Sequence, residues 1–206
     1  MKRPFVFLAL LILAATPAAR ATFVYSGTQN IPIPLTFAGV YLRIDTGSTS
    51  AVRPANWNTA PWMNPFFGGV DIGTSALFRP VVAGLDQIRN LAYGTAIDGG
   101  SNYPVGESGS TTHVGPGAGQ FLVGVPGTMG FTFKEMAGGP DYYGWLNLVI
   151  NNAGTGRITD FAFDNTPGTA MEAGVLPEPG TAFFGLAVAG AVACRRKRGR
   201  ESRMPM

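Results

Sequence analysis

Cysteine is almost absent from this chain of 206 residues. The single cysteine, Cys194, lies near the C-terminal end, outside residues 22–176, which we call the body. Without a second cysteine the chain cannot form an intramolecular disulfide, so the folded body must be stabilised by packing alone. The body has 155 residues, which is enough for one domain with a sizeable hydrophobic core.

Positive charge is scarce in the body, although the whole chain carries a formal net charge of +3. The body contains six Lys and Arg residues against ten Asp and Glu residues, a net charge of −4. The basic excess therefore lies at the two ends of the chain. A nucleic-acid-binding surface needs clustered Lys and Arg, because counterion release drives that binding. This composition excludes nucleic acid as a partner of the body.

A helical hydrophobic stripe is also missing from the body. Short apolar or alternating runs occur instead, separated by turns rich in Gly and Pro, of which the chain has 29 and 16. Such runs are typical of β-strands. The sequence therefore predicts an all-β domain over residues 22–174, an antiparallel β-sandwich or jelly roll. The runs are FVYS, IPIPLTF, GVYLRID, SALFRPVV, QIRNLAY, GQFLVGV, MGFTFKE, YYGWLNLVI and GRITDFAFD.

Alternation within two of these runs predicts which side chains share a face. In GFTFK, Phe131 and Phe133 fall on the same face of a strand. In RITDFAFD, strict alternation places Phe161 and Phe163 on the face opposite Ile158.

Two further stretches predict a turn and a central strand. VPGT, residues 125–128, has turn composition and predicts a hairpin over residues 120–134. WLNLVI, residues 145–150, is almost continuously apolar, as expected of a strand buried on both faces. We therefore expect Trp145 to lie in the core.

The N-terminal residues 1–21 have the pattern of a secretory signal peptide. Lys2 and Arg3 precede an apolar run over residues 5–15, and small residues follow at Ala19 and Ala21. The apolar run has no polar face that would suit a surface helix. We expect signal peptidase to cleave after Ala21.

The C-terminal region, residues 175–206, combines three elements in a fixed order. Pro177, Glu178 and Pro179 come first, and an uncharged run over residues 181–194 follows. A basic tail over residues 195–203 completes the region and begins with Arg195, Arg196, Lys197 and Arg198. A helix of the uncharged run would span about 21 Å at ~1.5 Å per residue, and arginine side chains extend that reach by snorkelling. The cluster of cations predicts a stop-transfer signal on the cytoplasmic side.

These three elements resemble the PEP-CTERM sorting signal. The resemblance implies export by a Gram-negative bacterium and processing by an exosortase, a membrane-embedded transpeptidase-like enzyme, often alongside exopolysaccharide or biofilm production. It also implies a precursor held briefly in the inner membrane by one transmembrane helix. Residues 128–165 add a second resemblance: Tyr143-Gly144-Trp145 and the later Ile-x-x-Phe-Ala strand are similar to the region before the signal in many PEP-CTERM proteins.

The stretch YLRIDTGSTSAV, residues 41–52, resembles the active-site turn of aspartic proteases. Such enzymes need two carboxylates close enough to share one proton. Asp45 is the first, and Asp98 is the nearest candidate for the second, although it lacks the following Thr. A homodimer with one motif per chain is the alternative. The competing interpretation is a polar turn after a strand.

The stretch NWNTAPWMNPFFGG, residues 56–69, concentrates aromatic side chains between prolines. Exposed rings of Trp57 and Trp62 would suit stacking on the sugar rings of a polysaccharide. The competing interpretation places these rings in the core, where large aromatic side chains are usually found.

No metal-site spacing is present. His113 lacks nearby partners, and no calcium-loop motif occurs. The sequence predicts no cofactor: calcium is the ion that the acidic body would favour, through oxygens of Asp141, Asn151, Asp160 and Asp164, but solvated strand ends are the preferred explanation of these residues. The sequence thus predicts an exported, non-enzymatic, structural or adhesive surface protein. A carbohydrate-binding module and a homodimeric aspartic protease are the alternatives.

Overall fold

The structure, a computed structural model, describes residues 23–83, 87–104, 109–112, 119–151 and 154–176. These residues form β-strands and two single-turn 3-10 helices, Trp57–Thr59 and Phe67–Gly69. The strands are β1 (Phe23–Tyr25), β2 (Ile31–Ile33), β3 (Tyr41–Arg43), β4 (Ser48–Ser50), β5 (Trp62–Phe66), β6 (Asp71–Thr74), β7 (Phe78–Pro80), β8 (Gln87–Ile88), β9 (Ala96–Ile97), β10 (Gly109–Thr112), β11 (Pro126–Phe133), β12 (Tyr142–Ile150), β13 (Gly156–Asp164) and β14 (Met171–Glu172). The predicted all-β fold is confirmed.

The strands form two six-stranded sheets and one small sheet. The first sheet has the order β1-β13-β12-β11-β7, and β2 pairs with β13 beside β1. The second sheet has the order β4-β3-β5-β6-β10-β8, and β14 pairs with β9 in the small sheet. All strand pairs between these elements are antiparallel except β8 with β10. The predicted antiparallel character therefore holds for nearly the whole body.

A large cluster of buried apolar side chains, which we call the inner cluster, is shared by both six-stranded sheets. The first sheet contributes Phe131 and Phe133 from β11, and the second contributes Leu42 from β3 and Met63 from β5. Phe131 and Phe133 thus share a face, as their alternation predicted. Burial of each such side chain stabilises the folded state by roughly 1.5–3 kcal/mol. A body without disulfides depends on this burial for its stability.

The opposite face of the first sheet carries a smaller cluster, which we call the outer cluster. Trp145 of β12 lies at its centre with an exposed fraction of 1%. Irregular chain and the small sheet cover it, with Leu91, Ile97 and Met171 in contact. Because β12 is covered on both faces and pairs with β11 and β13, its nearly continuous apolar sequence is explained. The predictions of a central strand and a buried Trp145 are confirmed.

Two local predictions were wrong. Residues 125–128 are not a hairpin turn, because β11 begins at Pro126 and continues to Phe133. Proline is tolerated as the first residue of a strand, where no ladder donor is needed. The tight turn lies just before the strand, where the Val125 amide donates to the Leu122 carbonyl over 3.2 Å.

The second wrong prediction concerns the faces of β13. Its register against β12 shifts so that Asn147 pairs with Asp160, whereas Leu148 pairs with Ile158. Thr159 is therefore the extra residue of a β-bulge, which reverses the alternation on either side of it. Ile158 consequently lies in the inner cluster together with Phe161, not on the opposite face.

Candidate functional site

The Asp-Thr-Gly stretch forms the turn of the hairpin that joins β3 to β4. The Gly47 amide donates to the Arg43 carbonyl over 2.8 Å and closes the turn. Gly47 has φ +69°, a left-handed conformation that glycine adopts without strain. The motif is thus a polar turn after a strand, which was one of its two interpretations.

Asp45 is held at this turn by a paired guanidinium. Arg43 donates from Nε and from Nη2 to the two carboxylate oxygens of Asp45, each over 2.7 Å. These side-chain hydrogen bonds raise the pKa of Arg43 above its usual value. The two hydrogen bonds fix the orientation of the carboxylate, and the Arg43–Asp45 pair as a whole carries no net charge.

Beneath the turn lies a cavity of about 250 Å³, which we call the Asp45 cavity. Apolar side chains form its floor, and polar groups of two turns form its rim. A Cβ atom on Gly47 would lie 3.5 Å from Cζ of Phe161, so the ring packs directly under the turn. The lining residues are Val24, Ser26, Gln29, Ile44, Asp45, Thr46, Gly47, Phe161 and Phe163.

The segment between β1 and β2 supplies the other side of the rim and is positioned by the bulge in β13. The amide of Gln29 donates to the carbonyl of Thr159, the bulge residue, over 2.5 Å. Ser26 Oγ accepts from the Phe161 amide over 2.9 Å and donates to the Gly27 carbonyl over 2.8 Å. Gln29 Nε2 donates to the Ser26 carbonyl over 2.6 Å. Phe161 and the bulge residue Thr159 of β13 thus hold Ser26 and Gln29 at the cavity.

A proton-sharing pair of carboxylates is not assembled at this site within the described residues. Asp45 is the one carboxylate among the lining residues, and its oxygens face Arg43. Asp98 lies in a separate turn after β9, where its carboxylate accepts from the Gly100 amide over 2.8 Å. Within the described part of one chain, Asp45 and Asp98 are therefore not brought together as the pair that an aspartic protease requires.

The two tryptophans singled out as stacking platforms are buried. Trp57 and Trp62 are 8% and 6% exposed and form a small cluster with Ala60. Tyr41 contacts Trp57 edge to face with ring centroids 5.4 Å apart, and the Arg53 guanidinium lies 5.3 Å from the centre of the Trp57 ring. This packing agrees with the interpretation of both rings as core, because stacking on a sugar needs an open ring face.

The oxygens considered for calcium are engaged at separate places. Lys134 pairs with Asp141 over 3.1 Å, Asn147 donates to Asp160 over 3.1 Å, and the Thr166 amide donates to Asp164 over 2.7 Å. Asn151 follows β12 at the far end of the sheet. Over the described residues, no group of three or more His, Cys, Asp or Glu side chains could hold a metal ion. The structure does not bring the four residues together as a site.

Several residues considered in the sequence analysis lie outside the described residues. They are Ala19 and Ala21, His113, the sorting motif Pro177, Glu178 and Pro179, the stop-transfer residues Arg195, Arg196, Lys197 and Arg198, and Cys194. Among the residues that are described, no helix is long and apolar enough to cross a membrane.

The lining residues Ser26 and Gln29 were missed by sequence reasoning, since the stretch YSGTQN matches no functional motif. Pairing of β1 with β13 and the hydrogen bond of Gln29 to Thr159 bring this stretch to the Asp45 turn, and the regular alternation of RITDFAFD gives no sign of the bulge at Thr159. No protein-family model, no curated protein and no solved structure matches this chain significantly.

Proposed function

We propose that this chain is an exported bacterial surface protein that an exosortase processes at residues 177–179. In this proposal the body is a non-enzymatic, structural or adhesive component associated with an exopolysaccharide or biofilm matrix. Signal peptidase and the exosortase are its processing partners, and the inner membrane holds the precursor only transiently.

The ordered C-terminal motif is the observation that carries this proposal. Pro-Glu-Pro, an uncharged run and a cluster of cations follow one another directly after the body. The last elements of the body are packed, since Met171 and Ala173 belong to the outer cluster. The motif therefore begins only a few residues beyond a buried anchor point, where the chain leaves the domain.

The shared inner cluster supports the finer assignment of the fold, a β-sandwich or jelly roll. Two six-stranded sheets that contribute to one core are the expected arrangement of such a domain. A fold of this kind needs no disulfide, which suits an exported chain whose body contains no cysteine.

Each part of the motif has a physical role in this proposal. Residues 195–198 stop transfer through the membrane, and residues 181–194 hold the chain in the bilayer. Pro177 and Pro179 cannot continue a helix, so the triplet stays extended just outside the membrane. Glu178 is then the one charged group of the triplet that the enzyme can recognise.

The intact mass of the mature protein from its native host tests this proposal. We expect a chain that begins near Thr22 and ends near Pro179, without the basic tail. The Glu178→Ala variant should keep its full tail and remain in the inner membrane fraction, because the recognised charge is lost. The matched control, Arg200→Ala, should be processed normally. A mature wild-type chain that still contains residues 195–198 would leave a plain membrane anchor in place of a sorting signal.

A further inference from the structure

Exposed apolar side chains gather at one end of the body, which we call the apolar end. Three loops form it: residues 34–40 after β2, residues 66–70 around the second 3-10 helix, and residues 119–125 before β11. Large apolar side chains in solvent mark a surface that contacts another molecule or a membrane when they lie together. Those exposed on the three loops are Leu35, Phe37, Phe67, Leu122, Val123 and Val125.

Strand pairing in the first sheet places the first and third loops side by side. Gly156 of β13 pairs with Ile33 of β2 and with Ile150 of β12, so these strand ends are level. The loop before β11 lies at the same level, because the Gly124 amide donates to the Ile150 carbonyl over 2.6 Å. The apolar side chains of both loops therefore project from the same end of the sheet.

The second loop is held against the first and contributes a strained aromatic residue. The Gly68 amide donates to the Pro34 carbonyl over 3.0 Å. The ring centroid of Phe66 lies 5.2 Å from that of Phe37 and 5.2 Å from that of Phe67. Phe67 has φ +48°, which is unfavourable for a residue with a side chain, although its ring remains exposed. Strain that gains no burial is typical of functional positions.

The two ends of the first sheet differ in charge. None of the three loops at the apolar end contains Asp, Glu, Lys or Arg. The turn between β11 and β12 at the opposite end, which we call the charged end, carries Lys134, Glu135 and Asp141. A protein partner is usually bound through polar groups at the rim of the interface as well as apolar ones. Lipid hydrocarbon instead excludes charge and offers no hydrogen bonds, so the uncharged loops suit a bilayer.

Three charged residues border the apolar end without lying in its loops. Asp71 follows the second loop, and Arg157 follows Gly156 on β13. Arg89 packs at the start of the third loop, where a Cβ atom on Gly119 would lie 3.6 Å from Cγ of Arg89. Charged side chains at such a border can stay hydrated among lipid headgroups while neighbouring apolar groups enter the acyl chains.

The chain also leaves the body toward the apolar end. The Gly168 amide donates to the Asp141 carbonyl over 2.9 Å, which places this part of the chain at the charged end. Further on, a Cβ atom on Gly174 would lie 4.0 Å from Oγ1 of Thr128, near the start of β11. The last described segment therefore runs along the sheet from the charged end toward the apolar end.

We propose that the apolar end docks onto a zwitterionic phospholipid bilayer, with Phe37, Phe67 and Leu122 among the acyl chains. A zwitterionic surface fits because the loops lack the clustered cations that anionic lipids attract. The inference rests on the proposed function for its orientation, since a membrane segment at residues 181–194 would draw this end toward the bilayer. Docking then keeps residues 177–179 at the membrane surface, within reach of a membrane-embedded enzyme.

Site-specific fluorescence on the full chain in vesicles tests the inference. Cys194→Ser removes the native thiol, and Phe37→Cys, Leu122→Cys, Glu135→Cys or Ala187→Cys then supplies one thiol at a time for an environment-sensitive dye. The vesicles are made of phosphatidylcholine with brominated acyl chains, which quench a dye only where it enters the hydrocarbon.

The comparison between the two ends decides the result. We expect the dyes at positions 37 and 122 to emit at shorter wavelength and to be quenched. The dye at position 135, in the exposed turn of the charged end, should show neither effect. Equal quenching at these three positions, whether strong or absent, would overturn the docking.

A paired variant tests whether the aromatic side chains carry the contact. Phe37→Asn combined with Phe67→Asn should lower quenching of the dye at position 122 by about twofold or more, because two rings no longer enter the acyl chains. Both rings are exposed, and Asn adopts the backbone conformation of Phe67 with less strain, so the fold should persist. Met136→Asn, an equally exposed change at the charged end, is the matched control and should leave quenching unchanged. Equal quenching in the paired variant and the control would overturn the docking by these loops.

The dye at position 187 separates this inference from the proposed function. Quenching there without quenching at positions 37 and 122 would retain the membrane segment and overturn the docking. Quenching at positions 37 and 122 without quenching at position 187 would retain the docking and contradict the membrane segment. Processing at residues 177–179 is read separately by mass, so either idea can fail alone.

Discussion

On the inner face of the first sheet, Phe131 of β11 lies opposite Gly144 of β12, whereas on the outer face Trp145 of β12 lies opposite Gly130 of β11. Each large ring thus faces a glycine across the same pair of strands. Phe131 of the inner cluster packs between the two six-stranded sheets. Trp145 of the outer cluster packs under irregular chain instead. A large ring opposite a glycine therefore occurs both where a second sheet covers the ring and where irregular chain covers it.

The two glycines differ in what surrounds them. A Cβ atom on Gly144 would meet the Ala162 carbonyl oxygen and lie 2.5 Å from Cζ of Phe131. A Cβ atom on Gly130 would lie 2.7 Å from Cδ1 of Leu91 and 2.9 Å from Cγ2 of Val81, which are the ends of side chains. Backbone in a sheet cannot move aside as a side chain can. The inner face should therefore tolerate less change than the outer face.

The largest expected effect comes from alanine at these two glycines. Gly144→Ala should lower the free energy of unfolding by more than about 3 kcal/mol, since overpacking against backbone exceeds the usual range. Gly130→Ala should cost about 1–3 kcal/mol, because Leu91 and Val81 can shift. Chemical denaturation of both variants measures the difference. Equal losses would show that the two faces are equally rigid.

A smaller effect is expected at the ring of the outer cluster. Trp145 Nε1 is buried and finds no hydrogen-bond partner among the residues that the structure describes, which costs roughly 1–3 kcal/mol. Trp145→Phe removes this unpaired donor and leaves a void, and the two effects oppose each other. We expect the free energy of unfolding to change by no more than about 1 kcal/mol.

Trp62→Phe is the matched control for that substitution, because Trp62 Nε1 donates to Asn56 Oδ1 over 3.1 Å. This variant loses a hydrogen bond as well as ring volume, so it should be less stable than Trp145→Phe. Denaturation of the two variants side by side is the measurement. A larger loss for Trp145→Phe would mean that packing, and not the buried donor, dominates the outer cluster.

The smallest expected effect is a dependence on alkaline pH that originates at the outer face. Burial raises the pKa of Tyr103, and it also raises the pKa of Tyr143, which stacks on it with ring centroids 6.5 Å apart. Above about pH 10 the unfolded chain loses tyrosine protons that the folded chain keeps. The free energy of unfolding should therefore fall as the pH rises past 10 and stay unaffected by these groups below it.

Thermal unfolding between pH 8 and pH 11 measures this dependence. The Tyr103→Phe variant should show a shallower decline above pH 10 than the wild type, because one of the two shifted groups is gone. An identical decline in both proteins would assign the alkaline loss to other groups.

Sequence periodicity predicted the parts of the fold that depend on neighbours along one strand. The apolar run at residues 145–150 predicted a strand covered on both faces, and the alternation of Phe131 and Phe133 predicted their common face. These predictions succeed because a strand repeats every two residues, so local sequence determines which side chains share a face.

The candidate site could not be predicted in the same way. Its lining comes from residues 24–29, 44–47 and 161–163, which are brought together only by strand pairing over long sequence distances. The bulge at Thr159 depends on the register between β12 and β13, and no residue type at that position signals it. The Asp45 motif was visible, but its chemistry depends on Arg43, which the motif does not specify.

Among the described strands, β2 lies at an edge of the first sheet, where Pro32 pairs with Arg157 of β13 and Pro34 follows the strand. A proline has no N–H to give, so a second molecule aligned along this edge finds a ladder with missing donors. In the terms of polymer chemistry, β2 acts as a terminator of strand addition, because a further strand cannot complete its hydrogen bonds there. It caps the growth of intermolecular sheets at this rim, and copies crowded together would remain separate particles there instead of seeding a fibre.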